Sequence, residues 1–220
     1  MSGSLVSPAT RQRVRNLATP IALALGRLGL TPNSLTLIGF LGTCVAALAA
    51  ASQAWALAGV LVLAFGIFDL FDGALARATG RTSTFGAFLD SMLDRTGENL
   101  VYAGIAFGCA VAFYPWGVAA AVLALAFASV VTYARAKAEV VGLHGEVGFA
   151  PREIRLVLLS IGLIACGLTG GIGASGRLSL PPPEAEGNLA LIVSLGFIAV
   201  LGAVTVVQRI LHVRAQTREG

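Results

Sequence analysis

Four aspartates interrupt an otherwise apolar stretch, in the run DLFDGALARATGRTSTFGAFLDSMLD between residues 69 and 94. Asp69 and Asp72 are three residues apart, and Asp90 and Asp94 are four apart, so each pair lies on one face of its own helix. A charged side chain near the centre of a membrane-spanning helix costs about 2.5–3.5 kcal/mol on insertion scales. The acids therefore require water or nearby positive charge, and a pair of Mg²⁺ or Mn²⁺ ions would satisfy both needs.

The composition around these acids is that of a membrane protein. The chain has 220 residues, of which 56% are hydrophobic and 12% charged, and its mean hydropathy is +0.84. The net charge of +4 is compatible with a nucleic-acid partner. However, the basic residues do not alternate with polar and aromatic residues on a soluble face, so we expect no nucleic acid. Cys44, Cys109 and Cys166 are isolated within apolar runs and behave as small hydrophobic residues.

Apolar segments of spanning length follow an amphipathic N-terminal segment. Over residues 11–30, apolar residues recur at three- and four-residue steps between arginines, which predicts a helix lying in the membrane interface. We therefore expect an all-α integral membrane protein with one domain over residues 1–220, in which this juxtamembrane helix precedes a six-helix bundle at residues 35–211. The six transmembrane helices are predicted at residues 35–51, 54–76, 84–113, 116–139, 151–170 and 188–211.

The basic residues indicate how the bundle is oriented. Every lysine and arginine except Arg177 falls on one side of it, and the positive-inside rule places that side in the cytoplasm with both termini. We expect a multi-pass protein of the cytoplasmic (inner) membrane, in contact with membrane lipid, whose active site faces the cytoplasm. Gly104 and Gly108, four residues apart, predict close helix packing, either within the bundle or in a dimer.

The two aspartate pairs are predicted to meet at the cytoplasmic end of the bundle. Residues 79–82 break the helix between them, and so short a turn joins two antiparallel helices. Gly73 and Gly86 leave room for a ligand against the backbone, and Arg77 offers a planar fork suited to phosphate. The acids could instead only pair with neighbouring arginines. Four acids and two glycines in this register favour a metal site.

The complete pattern, D-x2-D-G-x2-A-R-x8-G-x3-D-x3-D, resembles the signature of the CDP-alcohol phosphotransferases. Every fixed position is filled, by Asp69, Asp72, Gly73, Ala76, Arg77, Gly86, Asp90 and Asp94. The resemblance implies a six-span enzyme, usually a homodimer, that binds a CDP-linked lipid such as CDP-diacylglycerol. Such enzymes transfer the lipid phosphate to the hydroxyl of an alcohol and release CMP.

The resemblance also implies roles for these residues. Two Mg²⁺ or Mn²⁺ ions would be held by Asp69, Asp72, Asp90 and Asp94. Asp94 would in addition act as the general base on the acceptor hydroxyl, which agrees with the need for an oriented nucleophile in phosphoryl transfer. The CDP-lipid would be bound by Gly73, Ala76, Arg77 and Gly86.

Basic residues at the cytoplasmic helix ends suggest a phosphorylated acceptor. They are Arg135, Lys137, Arg152, Arg155 and Arg209. The stretches ATPIALALGRLGLTPNSLT, TYARAKAEVVGLHGEVGF, REIRL and VVQRI resemble the bacterial phosphatidylinositol phosphate synthases. In that subfamily, residues matching Arg135, Arg155 and Arg209 contribute to an inositol phosphate pocket. We therefore expect a phosphorylated polyol, inositol phosphate first and glycerol phosphate second.

Other interpretations of these residues stay open. The positive-inside rule also accounts for the bases, and Arg135 is placed to pair with Glu139 one turn on. His144 and His212 have no partner at metal-ligand spacing and are expected at loop or interface positions. Intramembrane prenyl transfer also uses aspartates and Mg²⁺ but does not require the D-G-x2-A-R spacing. A divalent cation carrier would distribute its acids through the membrane depth, whereas these cluster toward one side.

Overall fold

Eight α-helices form the part of the chain that the structure describes, which is residues 8–145, 147–149, 151–172 and 186–219 of a computed structural model. No strand occurs in these residues, so the all-α prediction is confirmed. Arg177, the basic residue predicted on the opposite side of the bundle, lies outside them. The helices are α1 (Pro8–Arg27), α2 (Pro32–Ala51), α3 (Trp55–Gly66), α4 (Phe68–Thr79), α5 (Thr84–Val111), α6 (Pro115–Val140), α7 (Arg152–Leu168) and α8 (Glu186–Glu219).

Four stretches are long and apolar enough to cross a membrane. They are α2, the α3–α4 unit over Trp55–Thr79, α6, and α8 over Asn188–Arg218. The other two predicted spans correspond to α5 and α7. The first half of α5 carries several charged side chains, and α7 has only 17 residues. The described residues therefore hold four candidate membrane spans, and the two helices that depart from this pattern are those that carry Asp90, Asp94, Arg152 and Arg155.

Local sequence sets the helix boundaries. The predicted N-terminal helix ends at Arg27 instead of residue 30, because Gly29 adopts a positive φ of 90°. Thr31 caps α2: its hydroxyl accepts from the Ser34 amide, and the Ser34 hydroxyl accepts from the Thr31 amide. The predicted second span is divided at Ile67 into α3 and α4. Ile67 keeps helical backbone angles (φ −73°, ψ −24°), so this break is local.

Contacts between helices close the bundle into a ring. In order around it, α2 packs on α5, α5 on α6, α6 on α8, α8 on α7, α7 on α3, and α3 on α2. The remaining helices add to one side, where α4 packs on α2 and α1 packs on α4. The ring brings α7, from late in the chain, beside the earlier helices that carry the acids.

Glycines allow α2 and α5 to approach closely. A Cβ atom at Gly104 would collide with the carbonyl oxygen of Ala47, and one at Gly108 with that of Ala50. The helix packing predicted from these glycines is therefore confirmed, and it lies within one chain. Small residues at such an interface favour close van der Waals contact in lipid.

Candidate active site

Three carboxylates from two helices converge at one end of the bundle. Asp69 of α4 and Asp90 and Asp94 of α5 each offer an oxygen atom, and these atoms lie within 4.8 Å of one another. All three residues are half-buried. The α4 and α5 backbones have little contact with each other, and both helices pack on α2. Asp69 and Asp94 line a pocket whose wall is formed by α2 residues such as Thr36 and Gly39.

The connection between α4 and α5 fixes the register of these acids. Gly80 ends α4 with a φ of +65°, where a residue without a side chain is favoured. Ser83 begins α5, and its hydroxyl accepts from the Gly86 amide at 2.9 Å. The short turn predicted at residues 79–82 is thus confirmed. It places Asp90 and Asp94 in successive turns of α5.

Asp72 differs from the other acids in its surroundings. It lies on α4 one turn from Asp69, yet it is buried and faces α2. Its Oδ2 accepts a hydrogen bond from the Thr36 hydroxyl at 2.7 Å. Thr36 and Asp69 also line the same pocket. The fourth acid is therefore held at the wall of the pocket, behind the three that converge.

Arg152 supplies positive charge to the cluster. Its Nη1 donates to Oδ2 of Asp69 and to Oδ2 of Asp94, the latter at 2.6 Å. Arg152 is the first residue of α7, where the helix dipole disfavours a cation, so the position is explained by the acids that it contacts. Oδ1 of Asp90 is buried and has no hydrogen-bond partner among the described residues.

A second ion pair lies one helical turn deeper. Arg155 of α7 donates from Nε and Nη2 to the two carboxylate oxygens of Glu98 on α5, both at 2.8 Å. Both side chains are almost fully buried, with exposures of 2% and 4%. A bidentate pair of this kind holds the guanidinium in a single orientation. The α5 and α7 helices are thus joined by two charged contacts in succession, Asp94 with Arg152 and Glu98 with Arg155.

The residues predicted to bind the CDP-lipid lie beside the acids along the chain. The Arg77 guanidinium covers Gly73, where a Cβ atom would lie 3.1 Å from Nη1. Gly86 lies near Asn33 at the start of α2, where a Cβ atom added to Gly86 would lie 3.1 Å from Oδ1 of Asn33. Arg77 is exposed, whereas Ala76 is half-buried.

The predicted acceptor residues fall into different surroundings. Arg135 pairs with Glu139 at 2.9 Å on the surface of α6, as its spacing suggested, and Lys137 is exposed on the same helix. Arg209 is buried on α8 and donates to the backbone oxygens of Val131 and Val147. Arg152 is the one predicted acceptor residue that lines the pocket beside the acids.

Thr36 and Glu98 are two residues of this region that the sequence interpretation missed. Glu98 follows Asp90 and Asp94 at the same four-residue step, so the periodicity of α5 contained its signal. Thr36 belongs to the stretch TPNSLT, which marked the start of α2 but gave no indication of its partner. His144 lies in the loop after α6, as expected, and its backbone bonds with the Gln216 side chain.

Comparison with known proteins gives a consistent set of relatives. The phosphatidylinositol phosphate synthase of Cutibacterium acnes is 38% identical over 200 residues, which is 89% of this chain and 91% of that protein. The archaetidylinositol phosphate synthase of Pyrococcus horikoshii is 40% identical over 152 residues, 69% of this chain and 78% of that protein.

Solved structures agree with these relatives. The crystal structure of Mycobacterium tuberculosis phosphatidylinositol phosphate synthase with CDP-DAG bound matches at a TM-score of 0.74 and 32% identity, covering 90% of this chain and 94% of that one. The structure of the same enzyme in complex with manganese and citrate matches at a TM-score of 0.75 and 32% identity, covering 89% of this chain and 88% of that one.

The chain also matches the model of one protein family directly. The family is described as CDP-alcohol phosphatidyltransferase, and the match covers residues 29–207, which include every acid of the pocket. Sequence, fold and family model therefore agree, and the chain belongs to the CDP-alcohol phosphatidyltransferase family.

Proposed function

We propose that this enzyme transfers a phosphatidyl group from CDP-diacylglycerol to a hydroxyl of inositol phosphate and releases CMP. The observation that carries the proposal is the convergence of Asp69, Asp90 and Asp94 from two helices, with carboxylate oxygens within 4.8 Å of one another. These acids belong to a pattern that the chain fills at every position. The relatives described above support the reaction and the substrates.

The residues present fit a pair of divalent ions. The converging acids offer only oxygen ligands, the donor type that suits Mg²⁺ and Mn²⁺. Arg152 already places a cation against two of them, and Asp90 keeps a buried oxygen without a partner among the described residues. We assign the metal ligands to Asp69, Asp72, Asp90 and Asp94. When bound, the ions supply positive charge to the diphosphate of the CDP-lipid.

In the proposed reaction Asp94 is the general base. It accepts the proton of the acceptor hydroxyl as the hydroxyl oxygen attacks the phosphorus that carries diacylglycerol. The new bond joins this oxygen to phosphorus, and the bond from phosphorus to the bridging oxygen breaks, so that CMP leaves with the electron pair. Asp94 suits this role because it lines the pocket.

The CDP-lipid site is assigned to the glycine-lined surface beside the acids. Gly73, Ala76 and Gly86 carry little or no side chain, and polar groups lie over the two glycines, the Arg77 guanidinium over Gly73 and the Asn33 side chain over Gly86. Arg77 extends from the same helix as Asp69 and is exposed, so its guanidinium is available for phosphate. A site at the membrane interface leaves the acyl chains in lipid and the cytidine in water.

The acceptor site is assigned to Arg135, Lys137, Arg152, Arg155 and Arg209. Arg152 has the strongest support, because it is in the pocket with Asp94. The relatives in C. acnes and P. horikoshii differ in the lipid that their names specify, phosphatidyl or archaetidyl, and share inositol phosphate. This shared element favours inositol phosphate over glycerol phosphate.

We further propose the membrane arrangement. Residues 1–220 form one domain in which α2, α3–α4, α5, α6, α7 and α8 cross the membrane and α1 lies in the cytoplasmic interface. Both termini and the active site face the cytoplasm, as the distribution of basic residues favours. The enzyme is a homodimer in the cytoplasmic membrane, as the family resemblance implies.

An acceptor screen tests the function. Purified enzyme in lipid nanodiscs would receive CDP-diacylglycerol, Mg²⁺ and one acceptor: inositol phosphate, glycerol phosphate or free inositol. We expect CMP release and a phosphatidylinositol phosphate product, identified by mass, with inositol phosphate alone. Product from glycerol phosphate instead would change the acceptor and keep the reaction class. The absence of CMP with every acceptor would contradict the reaction itself.

A further inference from the structure

We propose that Thr36 is a positioning residue, whose hydroxyl orients the Asp72 carboxylate as a metal ligand. The inference rests on the proposed function, because it assumes a metal site at the converging acids. It starts from one contact, the hydrogen bond of 2.7 Å from Thr36 Oγ1 to Asp72 Oδ2. Both residues are buried, with exposures of 7% and 5%.

The direction of this hydrogen bond follows from the chemistry of a metal ligand. A carboxylate that binds a cation is ionised and can only accept hydrogen bonds. The Thr36 hydroxyl has two acceptors within reach, the carbonyl oxygen of Pro32 at 3.1 Å and Oδ2 of Asp72 at 2.7 Å, and its one hydrogen goes to the nearer and charged Asp72 oxygen. One oxygen of Asp72 is then occupied by the hydroxyl, and the carboxylate is held in a single orientation. Hydrogen bonds to ligating carboxylates commonly tune metal affinity in this way.

The packing of α2 against α4 makes the contact specific. One turn along the interface from Thr36, a Cβ atom at Gly39 would lie 3.1 Å from the Cβ of Phe68, which precedes Asp72 by one turn. The two contacts, Gly39 with Phe68 and Thr36 with Asp72, run in opposite directions along the two helices. The close approach at Gly39 thus brings the threonine within hydrogen-bond distance of the acid.

The start of α2 fixes the position of Thr36 along its own helix. Thr31 caps the helix in a reciprocal pair with Ser34, and Pro32 occupies the first turn. Thr36 therefore comes one turn inside a defined helix end. Thr36 also lines the pocket, together with Asp69 and Asp94. The wall that holds Asp72 is thus continuous with the acids that converge.

A comparison of two substitutions tests the inference by metal binding alone. Thr36→Val keeps the shape of the side chain and removes the donor, whereas Thr36→Ser keeps the donor. Binding of Mn²⁺ to purified enzyme without CDP-lipid would be measured by the loss of the free Mn²⁺ electron paramagnetic resonance signal. We expect about 10–100-fold weaker binding for Thr36→Val, the effect usual for such partners, and near wild-type affinity for Thr36→Ser.

A matched control is Thr132→Val on α6. Thr132 is half-buried, and its hydroxyl bonds to the Ala128 carbonyl of its own helix at 3.0 Å, away from the acids. We expect its Mn²⁺ affinity to be that of the wild type. Since the measurement needs no substrate, it separates the role of Thr36 from the identity of the transferred group.

Three outcomes would overturn the inference. The first is wild-type Mn²⁺ affinity in Thr36→Val, and the second is wild-type enzyme that binds no Mn²⁺. If Thr36→Val yields no folded protein, Thr36→Ala replaces it, since it also leaves Asp72 without the donor. The third outcome is that Thr36→Val and Thr36→Ala both fail to fold while Thr36→Ser folds. Thr36 would then have a role in the fold only. A normal acceptor screen combined with the first outcome would remove only the role of Thr36.

Discussion

At the residue scale, we propose two roles for Asp94, metal ligand and general base, and a single amide substitution separates them. Asp94→Asn keeps an oxygen for a metal and removes the ability to accept a proton. We expect kcat to fall by about 10²–10⁴-fold, the usual contribution of a general base, while CDP-diacylglycerol binding stays close to that of the wild type. CMP release and calorimetric lipid binding would measure the two effects.

Asp90→Asn is the comparison for this prediction. Asp90 is assigned to metal binding alone, so its loss should weaken Mn²⁺ binding as well as turnover. If Asp94→Asn reduces lipid and metal binding as much as turnover, Asp94 is chiefly a ligand, and the base must be sought elsewhere in the pocket.

The buried pair of Arg155 and Glu98 makes a second prediction. Arg155→Met leaves Glu98 charged, buried and unpaired, which should cost about 3–5 kcal/mol of stability. The double variant Arg155→Met, Glu98→Leu removes both charges and should recover most of that loss. Thermal unfolding followed by tryptophan fluorescence would measure both. An equally unstable double variant would contradict the assignment of the loss to an unpaired charge.

The same double variant separates fold from acceptor binding. If Arg155 contacts the acceptor phosphate, the KM for inositol phosphate rises in the stable double variant while the KM for CDP-diacylglycerol does not. An unchanged acceptor KM would leave Arg155 with the single task of pairing with Glu98. The sequence predicted acceptor binding for Arg155. Its partner Glu98 lies 57 residues away along the chain, and the packing of the helices brings the two together.

Residues of this site differ in how well the sequence predicted them. The converging acids were predictable because their spacing is set within single helices. Thr36 was not, because its partner Asp72 lies 36 residues later and the contact depends on how α2 and α4 approach. Local periodicity determines which residues share a face, and packing of distant segments determines what that face meets.

At the element scale, the α2–α5 contact depends on small residues. Gly104→Ala places a methyl group against the Ala47 carbonyl, so the two helices must separate. We expect a loss of about 1–3 kcal/mol in stability, measured as a lower midpoint of thermal unfolding.

Gly196→Ala on α8 is the matched control, since a Cβ atom there meets nothing within 4 Å. It should be neutral or slightly stabilising, because alanine favours a helix over glycine. If Gly104→Ala is as stable as the wild type, the α2–α5 interface accommodates a methyl group at this position, and the predicted collision with Ala47 is wrong. The sequence predicted close packing at Gly104 and left its partner open, whereas the structure identifies α2.

At the scale of the whole molecule, the six-helix ring predicts that α5 and α7 cross the membrane despite their charge and length. Single cysteines at exposed positions flanking them, in a variant whose Cys44, Cys109 and Cys166 are replaced by alanine, test this. Thr82→Cys and Phe113→Cys flank α5, and His144→Cys and Thr169→Cys flank α7. A membrane-impermeant maleimide should label Phe113→Cys and Thr169→Cys in intact cells, and Thr82→Cys and His144→Cys in inverted vesicles.

Ser52→Cys, between the evident spans α2 and α3, provides the reference for the outer side. If both cysteines flanking α5 or α7 are labelled from the same side, that helix does not cross. If all four sites are reversed together, the orientation is wrong and the number of crossings is right. The sequence predicted six spans, and the apolar pattern is interrupted at these two helices because each of them carries part of the charge of the site.

The contact of Arg152 with Asp69 and Asp94 also has a consequence for biosynthesis. Arg152 follows Asp94 by 58 residues and Asp69 by 83 along the chain. At ordinary rates of translation, about 5–20 residues per second, the acids precede their countercharge by at least about 3–12 s. During that interval the nascent chain holds Asp69 and Asp94 without Arg152, so the site is electrostatically complete only when α7 arrives.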